Sequence, residues 1–141
     1  MNAKEYLNQV RYNDVNIASR IEERNKLWMS LTSIIASQIK EISVQESNQK
    51  NDDRFEKVLG LDRYIDREID ELYKLKLEIS RRIDRCSESI NSIVLRERYL
   101  NYKSWDDIAV LLNYDKRHIL RIHGHALIDF SNHNQDVTKC H

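Results

Sequence analysis

Two long stretches of this chain repeat apolar residues every three or four positions, which is the spacing of one face of an α-helix. The first stretch spans about forty residues, a length typical of a coiled-coil-like helix. Its apolar face carries Tyr6, Val10, Ile17, Ile21, Leu27, Trp28, Leu31, Ile34, Ile35, Ile39 and Ile42. Asn13 and Arg24 interrupt this face where an apolar residue is expected. The chain has no proline and only two glycines, so its composition favours long helices.

The second stretch begins near Arg54 and predicts a second long helix. Its inward face carries Phe55, Val58, Leu59, Ile65, Ile69, Leu72, Leu75, Ile79, Ile83 and Cys86. The intervening segment, Ser43 to Asp53, is almost uniformly polar and rich in turn-forming residues, which predicts a loop. The sequence therefore predicts an all-α protein that begins with a long antiparallel, coiled-coil-like helical hairpin.

The apolar face of the first predicted helix is wider than the seam of a two-helix hairpin. It includes Trp28, Ile34 and Ile35, which one partner helix cannot all cover. Packing against a second copy would bury the remainder in a four-helix arrangement, so we expect a homodimer. The alternative is a monomer in which the C-terminal part of the chain folds back over this face.

The stretch from Leu95 to Leu127 predicts two short helices joined by a tight turn. Ser104 can cap the first helix, and Asp107 places a carboxylate beside the free N–H groups of the first turn. Asn113 tolerates the left-handed conformation that ends helices, and Asp115 offers a new N-cap. The apolar face of the first of these helices is Trp105, Ile108, Ala109, Leu111 and Leu112. This order of signals is typical of a helix-turn-helix.

The second of these helices is predicted to start near Lys116 and to carry a basic outer face. Its buried positions are expected to be Ile119, Ile122, Ala126 and Leu127. The opposite face then presents Lys116, Arg117, His118 and Arg121. An α-helix fits the major groove of DNA, where arginine pairs bidentately with guanine. We expect these residues to bind double-stranded DNA; the alternative is a helical hairpin with a solvated basic face.

A preceding helix with Val94, Leu95, Tyr99 and Leu100 is expected to close the small core under the reading helix. The segment Ser87 to Ser92 is the expected hinge, because serine and asparagine compete with the helical backbone there; the alternative is a helix that runs straight through. The predicted organisation is a helical hairpin over residues 1–88, a helix-turn-helix domain over residues 89–130, and a disordered tail over residues 131–141.

The C-terminal third resembles region 4 of sigma-70-type factors. The residues that carry the resemblance are Leu95–Tyr99, Trp105–Ala109, Leu112–Tyr114 and Arg121–His123. The resemblance implies DNA-reading positions at Lys116, Arg117, Leu120 and Arg121, with Ser104 and His125 completing the predicted DNA-binding set. His125 stands where an arginine is common, which implies a weaker or pH-dependent phosphate contact. Because no segment resembles the promoter-melting region 2, a complete sigma factor is not expected.

Most of residues 1–130 resemble a family of small bacteriophage proteins related to late-gene transcriptional activators of the ArpU and RinA kind. The opening Met1–Leu7, the acidic and basic central helix and the ending Arg121–Leu127 carry this resemblance. It implies a phage or prophage origin in a Gram-positive host and DNA-binding transcriptional control, whereas contact with host RNA polymerase is implied by the resemblance to sigma region 4. The alternatives are a small terminase-like DNA-packaging component and a protein-interaction adaptor.

Other chemistry is not expected from this sequence. It shows no glycine-rich phosphate loop, nucleophile elbow or paired catalytic carboxylates, so we expect neither an enzyme nor a cofactor. The C-terminal histidines and Cys140 lack four-ligand spacing, so no metal site is predicted, and Cys86 and Cys140 indicate no disulfide framework. The chain has no signal-peptide profile and no apolar run long enough for a membrane span, so a cytoplasmic location in a bacterial cell is expected.

Overall fold

The computed structural model describes residues 1–40 and 46–138, with side chains for residues 1–37 and 53–138. Within these residues it contains five α-helices: α1 (Ala3–Lys40), α2 (Glu46–Ile83), α3 (Ser89–Leu95), α4 (Trp105–Leu112) and α5 (Lys116–His133). A π-helical turn, Arg96–Leu100, continues α3. The long helices α1 and α2 pack antiparallel, which confirms the predicted all-α class and the helical hairpin.

The start of α2 differs from the prediction of a loop over Ser43 to Asp53. Helix α2 begins at Glu46, so the part of that segment from Glu46 onward is helical, and residues 43–45 lie outside the described residues. The segment is polar but contains neither glycine nor proline, and its residues cost a helix only a few tenths of a kcal/mol each. Of the predicted apolar face of α1, Ile42 and the side chain of Ile39 also lie outside the description.

The chain divides into two compact units, and the division differs from the predicted boundary after residue 88. The terminal unit joins Met1–Asp14 to the chain from Tyr73 onward, and the hairpin unit is Val15–Leu72. The main core of the terminal unit consists of Ala3, Tyr6, Leu7, Val10, Ile79, Ile83, Leu95, Tyr99, Ala126 and Phe130. The first turns of α1 and the last turns of α2 therefore pack with the C-terminal helices.

A second core of the terminal unit lies within the predicted helix-turn-helix. It consists of Val94, Ile108, Ala109 and Ile119, with Trp105, Leu112 and Ile122 packed against it. This matches the predicted apolar face of α4 except at Leu111, which is 51% exposed. The core fixes which face of α5 points inward.

The hairpin unit has a smaller core, formed by Ile17, Ile65 and Ile69. Arg24, which interrupts the apolar face of α1, lies with its Nη1 2.5 Å from Asp66 Oδ1 and its Nε 3.8 Å from Asp62 Oδ1. The interruption therefore places ion pairs between α1 and α2. Among the described residues, no helix combines the length and apolarity that crossing a membrane requires.

The segment predicted as a disordered tail is packed over its described part. Helix α5 continues through His133, and Asn134 and Thr138 are buried. Asn134 Nδ2 donates to the carbonyls of Phe130 (2.9 Å) and Arg82 (3.2 Å). The polar side chains that suggested disorder instead bond to buried backbone groups, which removes their need for water. Residues 139–141 lie outside the described part of the chain.

The expected hinge at Ser87 to Ser92 is where the chain turns from α2 into α3, and Asp129 of α5 fixes it. The Asp129 carboxylate accepts hydrogen bonds from Ser87 N (3.1 Å), Ser87 Oγ (3.0 Å) and Asn91 Nδ2 (2.8 Å). Burial raises the pKa of Asp129, but the hydrogen bonds from Asn91, Ser87 and Glu88 outweigh it and lower that pKa to about 2. The junction is therefore held to α5 by an ionised carboxylate.

Candidate nucleic-acid interface

The turn between α4 and α5 has the geometry that its sequence predicts. Ser104 Oγ accepts a hydrogen bond from Asp107 N at 3.1 Å and so caps α4. Asn113 caps the C-terminus of α4 with left-handed backbone angles, φ of 56° and ψ of 43°. Tyr114 N then donates to Ala109 O at 3.0 Å, which closes the last turn. These local bonds set the direction in which α5 leaves the turn.

Helix α5 is capped by Asp115 and anchored through one apolar face. Asp115 Oδ1 accepts from His118 N at 2.7 Å. Ile119 and Ala126 are fully buried, as the sequence predicts, while Ile122 and Leu127 are half-buried. Because the cap and the core both fix α5, the residues on its opposite face have defined positions.

The structure brings most of the predicted DNA-binding residues together on the exposed side of α5. Those exposed on this helix are Lys116, Arg117, Leu120, Arg121 and His125. His118 is half-buried, because its ring meets the edge of the Tyr114 ring at a centroid distance of 4.6 Å. Ser104 lies apart from this group, at the exposed N-terminus of α4, where its oxygen serves as the cap.

The charges near this face are not all available to a ligand. Lys116 Nζ lies 3.4 Å from Asp106 Oδ1, and both side chains are more than half exposed. In contrast, no carboxylate among the described side chains pairs with Arg117 or Arg121. The two guanidinium groups are therefore the free cationic donors of this face.

Tyr99 and Trp105, which the sequence predicts to pack under α5, also contact His123, and it is this role of His123 that sequence reasoning missed. Tyr99 Oη and His123 Nε2 are 2.9 Å apart, and the Trp105 ring meets the His123 ring at 4.5 Å. The Arg98 guanidinium lies 4.4 Å from the centre of the Trp105 ring. Burial, aided by the charges of Lys4 and Arg98, lowers the pKa of His123 to about 4, so its ring is neutral at pH 7. These residues are distant in sequence, and no local pattern links them.

Asp129 is the other structural residue that sequence reasoning missed, and here a signal was available. It lies three residues after Ala126 and seven after Ile122, on the inward face of α5. A carboxylate at a position expected to be buried needs hydrogen-bond partners. That position alone predicts a capping or structural role.

The histidines that the sequence analysis considered as metal ligands lie in different surroundings. His123 is bonded to Tyr99, and His133 Nδ1 lies 3.0 Å from Asp129 Oδ1. In the described part of the chain, no three His, Cys, Asp or Glu side chains are grouped to hold a metal ion. Cys140 and His141 lie outside that part.

Comparison with family models, curated proteins and solved structures finds no match to this chain. The residues themselves, above all the two free arginines of α5, are therefore what indicates a function. The resemblance to sigma region 4 and to phage regulators stays a prediction.

Proposed function

We propose that this protein is a transcriptional regulator that binds double-stranded DNA by placing the outer face of α5 in the major groove. The observation that carries the proposal is the pair Arg117 and Arg121, exposed on one side of a capped helix and unpaired among the described residues. An arginine in the major groove can donate two hydrogen bonds to O6 and N7 of a guanine. A second core behind α5 holds the helix that carries both arginines.

The spacing of the two arginines suggests what they read. They are one helical turn apart, about 6 Å along the axis, which matches about two base-pair steps of duplex DNA. We therefore expect them to contact guanines two steps apart. Leu120 lies between them in sequence and is 43% exposed. An apolar side chain at this place suits the methyl group of a thymine.

The remaining predicted residues are assigned to the phosphate backbone. Lys116, His118, Ser104 and His125 can donate to phosphate oxygens, which would fix the register of α5 without reading sequence. Lys116 must leave Asp106 to do so, but an exposed ion pair of this kind is worth only about 0–1 kcal/mol. Its loss is a small cost against a phosphate contact.

The overall charge of the chain favours two copies on DNA. The formal net charge is zero, so long-range attraction to DNA is weak and affinity must come from local basic faces. We infer that a homodimer presents two α5 helices to two half-sites. The resemblance to phage regulators extends the proposal to transcription in a bacterial host, and the resemblance to sigma region 4 adds host RNA polymerase as a protein partner.

Selection from a random duplex library at about 150 mM salt tests the proposal. The wild-type protein is compared with Arg117→Ala/Arg121→Ala and with Arg63→Ala/Arg67→Ala. The second variant is a matched control, since it removes two exposed arginines at the same spacing from α2. We expect the wild type and the α2 variant to enrich one motif and the α5 variant to enrich none, because each lost bidentate pair costs about 1–3 kcal/mol.

Two results would contradict this expectation. Equal enrichment by all three proteins would show that another surface reads the DNA. No enrichment by the wild-type protein would exclude sequence-specific reading and favour the adaptor alternative, in which the helical hairpin binds another protein. The mass of the wild-type protein in solution tests the homodimer, and a large ring would instead favour a DNA-packaging component.

A further inference from the structure

Gly124 lies in the interior of α5, where the protein fold gives no reason for a glycine. Its φ is not positive, so the backbone there is one that any residue adopts. A Cβ added at Gly124 would meet no heavy atom within 4 Å. Glycine is less favourable than alanine inside a helix, because it loses more conformational entropy on folding. The residue therefore costs stability without serving the packing of the described chain.

The position of Gly124 indicates which ligand could approach the bare helix backbone there. It follows Arg121 by three residues and Arg117 by seven, so it shares their side of α5. Gly124 is itself exposed, as are Leu120 and Ile128, its neighbours one turn away on each side. The outer face of α5 thus has two long cationic side chains followed by a place where the helix backbone is bare.

The dimensions of α5 and of the major groove place this bare backbone near the DNA strands. Gly124 lies about 12 Å along the helix axis from Lys116 at the N-terminus. The major groove is about 8.5 Å deep and about 12 Å wide. A helix that lies across the groove with Lys116 at one sugar-phosphate strand, as proposed above, therefore reaches the opposite strand at about the level of Gly124.

We propose that Gly124 is the point at which α5 makes its closest approach to the DNA sugar-phosphate backbone. This proposal rests on the proposed function, since it concerns the same face of α5. A Cβ at this position would hold the helix away from the groove wall and lengthen the contacts that Arg117 and Arg121 make with the bases. Gly124 then determines affinity by its lack of a side chain, whatever the sequence of the site.

Gly60 provides a matched control within the same chain. It lies inside α2, is exposed, and an added Cβ would likewise meet no atom within 4 Å. Its exposed neighbours one turn away are Glu56 and Tyr64, so an acidic residue borders it. Alanine at Gly60 reports the effect of helix propensity without changing α5.

The experiment measures thermal unfolding and DNA affinity of the full-length Gly124→Ala, Gly124→Leu and Gly60→Ala variants. The probe is a fluorescent mixed-sequence duplex of about 30 base pairs at low salt, where binding through the phosphate backbone is strong. We expect both alanine variants to unfold at a higher temperature than the wild type. We expect Gly124→Ala to lose about tenfold in DNA affinity, or about 1.4 kcal/mol, Gly124→Leu to lose more, and Gly60→Ala to keep the wild-type affinity.

Three outcomes would overturn the inference. Wild-type affinity in Gly124→Ala, together with weakened binding by Arg117→Ala/Arg121→Ala, would remove the close approach at Gly124 and leave the proposed function standing. A lower unfolding temperature in Gly124→Ala would show that the glycine serves the fold. Absence of binding by the wild-type protein to this duplex and to the random library would overturn both the inference and the proposed function.

Discussion

At the scale of single residues, Asp129 is a buried charged side chain that holds the turn between α2 and α3. Asp129 as a whole is 8% exposed, and its carboxylate accepts hydrogen bonds from the backbone and side chain of Ser87 and from Asn91. Hydrogen bonds to an ionised acceptor are about twice as strong as neutral ones. The turn between α2 and α3 therefore depends on the charge of one residue that lies far away in sequence.

Substitution Asp129→Asn is expected to destabilise the protein at pH 7 by about 2 kcal/mol. The pKa of Asp129 is about 2 in the folded protein, below its ordinary value of 3.8. The folded state therefore favours the ionised form. This stabilisation is present above pH 4 and is lost as the pH falls towards 2. Urea unfolding of both proteins from pH 7 to pH 2 measures it. A constant difference between the two proteins over this range would contradict the assignment.

At the scale of elements, the sequence predicts those features that are determined by neighbouring residues. The caps Ser104 and Asp115, the left-handed Asn113 and the inward face of α5 all follow from local signals and agree with the structure. The start of α2 could not be predicted in this way, because the polar residues from Glu46 onward are compatible with both a loop and a solvated helix. The local sequence of such a segment favours neither a loop nor a helix strongly.

The end of α4 provides a prediction at this scale. Asn113 has a φ of 56°, a conformation that costs most L-residues roughly 1–2 kcal/mol and glycine almost nothing. We therefore expect Asn113→Ala to destabilise the protein by about 1 kcal/mol and Asn113→Gly to leave its stability nearly unchanged. Chemical unfolding of the three proteins gives these differences. Equal losses in the two variants would instead indicate that the Asn113 side chain, rather than its backbone, stabilises the turn.

At the scale of the whole molecule, the sequence could not show which apolar faces pair. Each face was visible as a helical pattern, but the pattern carries no information on its partner. The predicted boundary after residue 88 separates Leu95 and Phe130 from Leu7 and Ile83, whereas the structure places all four in one core. The predicted tail was also wrong for its described part, because Asn134 donates to the carbonyl of Arg82, a group that only the folded chain brings near it.

This arrangement predicts that the helix-turn-helix does not fold as an independent domain. A fragment of residues 89–141 retains Leu95, Tyr99, Ala126 and Phe130 but loses every contact that they make with α1 and α2. The smaller core around Ile108 and Ile119 remains, but a chain this short buries too little apolar surface to offset its conformational entropy. We expect the fragment to show low helicity by circular dichroism and no cooperative thermal transition. The full chain is the control, and a cooperative transition in the fragment would show that the second core alone positions α5.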